Sequence, residues 1–285
     1  MKPFRNIEID GQRIACYESG GKGQTLFFIH SNSTSTLLFE PQFEGALGEK
    51  YSLIGIDLPG HGQSAPATNP EEIYSLPGYA DIIIGAAKIL DAEDAIFAGW
   101  SLGGHILLEA SDRLHNAKGL MIFGAPPLGN PPQMEQAFIS GPGMNNIFKA
   151  RLSDEEIREW VATQFSLEPG IDIPSCFGVA IMSARGDARA FLGESFMNLR
   201  YRDELKAIEN INVPLAILHG EKDRCVNLEY LKEIKSPALW RNEIQVISGA
   251  GHSPQWEKSA AFNALVGEFI DDLHYSPVRN KVYNY

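Results

Sequence analysis

The sequence predicts an α/β fold: a mostly parallel central sheet with helices on both faces and a helical segment inserted late in the chain. Three observations predict it. Short, continuous apolar runs alternate with helical patterns over most of the 285 residues. Several of those runs end in loops rich in Gly, Ser, Asp and His, at the sheet edge where open α/β folds bind ligands. Between about residues 127 and 201 the alternation stops, and then it resumes. The expected organisation is therefore a sheet domain, 1–126 and 202–285, and a helical lid, 127–201.

Each element has its own signal. Ile7 and Ile9 alternate with polar residues up to Asp10-Gly11, and Ile14 and Cys16 continue beyond, which reads as a β-hairpin. Thr25-Leu26-Phe27-Phe28-Ile29 is a strand buried on both faces. It ends in His30-Ser31-Asn32-Ser33, a loop full of donors. A second buried strand, 51–56, ends in Asp57-Leu58-Pro59-Gly60-His61-Gly62. A helix over 78–91 carries Ile83, Ala87 and Leu90 on one face. Ala95-Ile96-Phe97-Ala98 leads into Gly99-Trp100-Ser101-Leu102-Gly103, and a helical pattern with Ile106, Leu107 and Ala110 follows. Leu120-Met121-Ile122-Phe123 is the next strand.

The inserted segment has Pro and Gly breaks and one capped helix, opened by Ser153-Asp154-Glu155-Glu156. Its aromatics, Phe138, Phe148, Trp160, Phe165, Phe177, Phe191 and Phe196, are expected mostly to fasten it to the core. Strands resume at Leu215-Ala216-Ile217-Leu218 and at 244–247. The last helix carries the stripe Phe262, Leu265, Val266, Phe269, Ile270 and Leu273. Residues after Tyr275 read as a tail.

Composition excludes several classes. Twenty-four basic against 36 acidic residues give a net charge of −12, which argues against nucleic acid and anionic membrane as partners. Cys16, Cys176 and Cys225 are odd in number and far apart, so neither a disulfide framework nor a thiolate metal site is expected. No H-x-H or H-E-x-x-H spacing exists, and no G-x-G-x-x-G follows a first strand, so no metal and no dinucleotide cofactor is expected. The start has no signal-peptide core and no run reaches membrane-span length, so a cytoplasmic setting is the expectation.

The chemistry lies in G-x-S-x-G, placed between a strand and a helix. The sharp turn strains the serine backbone and tolerates only small neighbours. Ser101 is the expected nucleophile. Asp223 and His252 also follow predicted strand ends. A serine hydroxyl needs a base within hydrogen-bond reach, which His252 supplies, and an acid to orient that base, which Asp223 supplies. Glu221 is the rival acid, two residues earlier and less able to clear the strand end. The N–H groups of Leu102 and Asn32 are the expected oxyanion hole. His105 and His115 read as packing or surface residues, His219 as a satisfied core residue, His61 as a loop brace and Asp57 as a turn residue.

With Gly99-x-Ser101-x-Gly103, Asp57-Leu58-Pro59-Gly60-His61-Gly62 and Gly251-His252 in place, the chain resembles the α/β-hydrolase superfamily. More closely, it is similar to the metal-independent N-acyl-homoserine lactonases of that superfamily. That resemblance rests on His30-Ser31-Asn32-Ser33, Pro41-Gln42-Phe43-Glu44-Gly45, Gly78-Tyr79-Ala80-Asp81, Gly99-Trp100-Ser101-Leu102-Gly103-Gly104-His105-Ile106, Gly119-Leu120-Met121-Ile122 and Ser140-Gly141-Pro142. It implies hydrolysis of a quorum signal by Ser101, His252 and Asp223, with the acyl chain under the lid. The chain departs from the family in carrying Ser31 after His30, where Gly is common. It also has Trp160 where the first lid helix offers an aromatic hydroxyl, so only an indole N–H is available. Ser31, Trp100 and Trp160 are the expected substrate contacts. The expected partner is a small-molecule ester or lactone. A general carboxylesterase, a carbon–carbon bond hydrolase and a ligand receptor on this fold are the alternatives.

Overall fold

The computed structural model describes residue 1 and residues 5–141, 143–167 and 173–275. Pro142 and the tail after Tyr275 lie outside the described residues. Among these, eight strands form a single sheet: β1 (Arg5–Ile9), β2 (Gln12–Glu18), β3 (Thr25–Ile29), β4 (Ser52–Ile56), β5 (Ile96–Trp100), β6 (Gly119–Phe123), β7 (Leu215–Gly220) and β8 (Gln245–Ile247). Their spatial order is β1-β2-β4-β3-β5-β6-β7-β8. The hairpin β1–β2 is antiparallel and joins β4 antiparallel; every other pairing is parallel.

The central strands read as continuous apolar runs because both faces are covered, and period-two alternation sends their side chains into two separate cores. Phe27, Ile29 and Phe97 join one core with Ile83 of α1 (Leu76–Ile89) and Ile106 of α2 (Leu102–Ala110). Leu26, Phe28, Ala98 and Trp100 join the other with Phe262, Val266, Phe269 and Ile270 of the C-terminal helix. Each large side chain buried in this way contributes on the order of 1.5–3 kcal/mol. Between β6 and β7 the described residues form helices rather than strands, among them α3 (Asp154–Thr163), α4 (Ser175–Ser183), α5 (Gly186–Met197) and α6 (Glu204–Glu209). Helix α3 opens with the expected reciprocal cap between Ser153 and Glu156. The C-terminal helix is α7 (Ser259–Tyr275).

Backbone crowding shapes the turn between β5 and α2. Ser101 has φ +52° and ψ −113°, a region L-residues rarely occupy. A Cβ at Gly103 would strike the carbonyl of Ile29 at the end of β3, and one at Gly99 would strike the backbone of Gly103. Only glycine lets the helix start this close to two strands.

Two buried histidines brace the adjoining loops. A backbone N–H, that of Leu58, donates to His30 Nε2 (2.9 Å), so Nδ1 carries the ring proton and donates to the Ser31 carbonyl (2.7 Å). His61 packs 5.2 Å from His30, its Nδ1 3.0 Å from the Pro59 carbonyl oxygen. Asp57 accepts from the N–H groups of Thr36 and Gln63 and from the Tyr17 hydroxyl, which confirms it as a turn residue. Burial pushes His30 down to about 4 and His61 down to about 3.

These features give two predictions. Gly103→Ala should lower unfolding free energy by about 3 kcal/mol, read from the urea midpoint, because the obstruction is backbone and cannot move aside. The histidines should make the fold acid-sensitive. Between the ordinary histidine value of about 6.5 and the folded values, the unfolded chain binds protons that the native chain refuses. Stability is therefore complete above about pH 6.5 and falls as pH drops toward 4, by about 3 kcal/mol for His30 alone. Urea midpoints measured between about pH 7 and pH 4 should show this slope, and His30→Gln should remove roughly half of it, His61 supplying the rest.

Candidate active site

His252 follows β8 on a loop held from several sides. Glu257 accepts from the Gly251 N–H (2.7 Å) and from the N–H and hydroxyl of Ser166 (2.9 and 2.7 Å). The Trp100 indole donates to the His252 carbonyl (2.9 Å), and the Ser253 N–H donates to the Gln164 carbonyl (3.0 Å). The imidazole lies against Gly124, where a Cβ would come within 2.8 Å of the ring. Its Nδ1 donates to Asp223 Oδ2 at 2.9 Å.

Asp223 sits in the turn after β7. Its other oxygen accepts from the N–H groups of Cys225 (2.7 Å) and Val226 (3.0 Å). Burial alone would raise its carboxyl, but His252, His219 and the Cys225 N–H outweigh burial and hold it below the usual carboxylate range. The rival Glu221 turns away, accepting instead from the Ser248 hydroxyl and the Gly249 N–H, both at 2.9 Å. His219 is buried, yet its Nδ1 has no partner among the described residues and lies 4.0 Å from Asp223 Oδ2. It is therefore not the satisfied core residue expected.

Ser101 stands at the mouth of α2, where the first N–H groups of the helix are free to meet an anion. The N–H groups of Leu102 and Asn32 have no acceptor among the described residues. Asn32 is fixed by its side chain, which donates to the Ile147 carbonyl (2.8 Å) and accepts from the Ser33 hydroxyl (3.0 Å). Ser33 in turn accepts from Arg189 (3.2 Å), a buried guanidinium on α5. Arg189 also donates to the carbonyls of Lys149 (2.7 Å) and Ala150 (3.1 Å). Nothing in the sequence pattern singles out Arg189, since its partners are backbone atoms brought together only by folding.

Ser101, His252, Ser31, Asn32, Leu102 and Trp160 all line one cavity. The rest of the wall is mostly apolar: Leu76, Leu128, Met134, Phe138, Met144, Ile147, Phe148, Leu192 and Phe196. Such a lining around a few polar groups is typical of small-molecule sites. Two expectations change here. Trp100 does not line the cavity. As a β5 residue in register with Ala98 it points into the opposite core, edge-on to Phe39 and Phe177. The segment's aromatics do mostly fasten it to the core, Phe165 and Phe177 within one core and Phe138, Phe148, Phe191 and Phe196 packed against the other, while Phe138, Phe148, Trp160 and Phe196 also line the cavity. His105 is neither packing nor surface. It lines the cavity, and its Nδ1 lies 2.9 and 3.0 Å from the two carboxylate oxygens of buried Glu204.

One cluster among the described residues has the makings of a cation site, Asp223 with Cys225 and His252. Its donor set suits proton transfer better. Burial pushes the Cys225 thiol well up, and that thiol donates to the Thr163 carbonyl (3.4 Å).

No helix among the described residues is long and apolar enough to cross a membrane. A family model described as the alpha/beta hydrolase family matches residues 26–265. The crystal structure of the N-acyl homoserine lactonase AidH complexed with N-butanoyl homoserine is similar, with a TM-score of 0.90 and 33% identity over 95% of this chain and 97% of that one. The pimeloyl-[acyl-carrier protein] methyl ester esterase of Stenotrophomonas maltophilia (strain K279a) is 34% identical, covering 89% of this chain and 95% of its own. YisY of Bacillus subtilis (strain 168), an AB hydrolase superfamily protein, is 28% identical over 88% and 93%. The strained serine turn, the sheet order and a match running almost end to end agree: this chain belongs to the alpha/beta hydrolase family.

Proposed function

We propose that this protein is a serine hydrolase that opens the ring of N-acyl-homoserine lactones beneath a lid formed by residues 127–201. The observation that carries the reading is the joint exposure, in one apolar cavity, of strained Ser101 and the His252 imidazole hydrogen-bonded to Asp223. The likeness to AidH supports the lactone as substrate.

In this mechanism Asp223 holds the His252 proton on Nδ1, leaving Nε2 as the base. His252 takes the Ser101 proton as the hydroxyl attacks the ring carbonyl. The carbonyl oxygen becomes an anion, and the N–H groups of Asn32 and Leu102 bind it. One such donor is worth about 3–4 kcal/mol in the transition state. His252 then protonates the departing alkoxide. That alkoxide remains tethered to the acyl group, so a water activated by His252 must release the acyl-enzyme before the ring re-closes. The product is the open hydroxy acid. No metal takes part in these steps. Ser31 and Trp160 serve as substrate contacts, the latter through its indole N–H, which has no acceptor among the described residues.

The esterase relative favours a second reading, hydrolysis of an unstrained acyl ester by the same residues. Purified, chelator-treated protein given N-hexanoyl-homoserine lactone and a p-nitrophenyl ester separates the two. Rapid ring opening supports the lactonase; ester turnover alone supports the esterase. Ser101→Ala should lower kcat by ~10⁴-fold or more on either substrate. A variant that kept full activity would falsify the mechanism. Asp223→Asn should cost ~10⁴ in kcat with little change in KM, because it stabilises the wrong His252 tautomer.

A further inference from the structure

We propose that His105 and Glu204 form a second histidine–carboxylate pair in the cavity, whose imidazole Nε2 accepts a hydrogen bond from an N–H or O–H next to the attacked carbonyl. The pair would select acyl groups that carry such a donor. This deepens the reading of Ser101 as nucleophile and rests on it.

The chemistry follows from what each atom can do. Glu204 is fully buried. Its Oε2 accepts from the Leu128 N–H at 2.8 Å, and both its oxygens face His105 Nδ1 at 2.9 and 3.0 Å. A carboxylate only accepts, so the proton between them belongs to Nδ1. In the neutral ring Nε2 is then left with its lone pair. The hydrogen bonds of the His105 ring among the described residues are those of Nδ1 to Glu204. Since Nδ1 is occupied, Nε2 is the one polar atom His105 has for the cavity it lines. The wall of that cavity is mostly apolar, and the Phe138 ring centroid lies 6.5 Å from that of His105.

Position supplies the second half. His105 follows Ser101 by one helical turn, its own N–H donating to the Ser101 carbonyl at 3.3 Å. Helical side chains lean toward the preceding turn, which brings His105 back over the nucleophile's turn, about 6 Å along the axis. In an N-acyl-homoserine lactone attacked at the ring carbonyl, the amide N–H sits on the adjacent carbon. A plain fatty ester has nothing there, and binding it leaves Nε2 buried and unpaired, a cost that turns one hydrogen bond into selectivity.

Binding to the inactive Ser101→Ala protein tests this without turnover. The probes are N-hexanoyl-homoserine lactone and its ester isostere, in which oxygen replaces the amide N–H, titrated calorimetrically at about pH 8, where an ordinary imidazole is neutral. The amide should bind about tenfold more tightly. Adding His105→Leu should bring the ratio of affinities to about one. A ratio that His105→Leu leaves unchanged overturns the proposal while sparing the lactone reading. Failure of both probes to bind overturns the lactone reading and this proposal with it. Glu204→Gln guards against misfolding: its carbonyl can keep the Leu128 N–H, while its amide donates to Nδ1 and moves the ring proton to Nε2. The amide preference should then invert, and the ¹⁵N signals of His105 should report the exchanged tautomer. Retained amide preference with an exchanged tautomer would also overturn the proposal.

Discussion

Everything at the site depends on how closely the start of α2 approaches the ends of β3 and β5. The contact is backbone against backbone, at Gly103 beside the Ile29 carbonyl and at Gly99 beside Gly103. Close-packed interiors leave no slack for an added carbon there. The crowding accompanies the positive φ of Ser101 and sets the helix mouth beside the loop after β3, so that Leu102 and Asn32 line one cavity. The strain is carried by sheet pairings on both sides of β5.

The helical segment between β6 and β7 is tied to that centre by polar bonds as well as by packing. Arg189 bridges Ser33 to the backbone near Lys149, Asn32 holds the Ile147 carbonyl, and Gln164 receives the N–H of Ser253 beside His252. A buried guanidinium is costly unless its donors are met, and here carbonyls meet them. Each tie touches a residue next to a candidate catalytic group. Displacement of the segment would therefore disturb the loop after β3 and the loop after β8 together.

The cavity holds two histidine–carboxylate pairs with one design. Asp223 is fed by two backbone N–H groups and holds His252; Glu204 is fed by one and holds His105. In each, the carboxylate fixes the tautomer and frees the far nitrogen. One pair lines the same cavity as Ser101. The other stands one helical turn after Ser101 and lines that cavity too.

The sequence by itself determined the eight strands, the capped helix at Ser153 and the ordered Ser101, Asp223 and His252, because periodicity, caps and strand-end position are local signals. The resemblance to the lactonases was likewise legible in short motifs. Tertiary structure alone decided the rest. Trp100 adjoins the nucleophile in sequence yet faces the opposite core, since the side to which a strand residue points depends on register. His105 looked inert because its partner lies 99 residues away. Arg189 bonds to carbonyls, which every residue has and no sequence pattern marks. Those features are set by which distant surfaces meet, and that is fixed only when the chain packs.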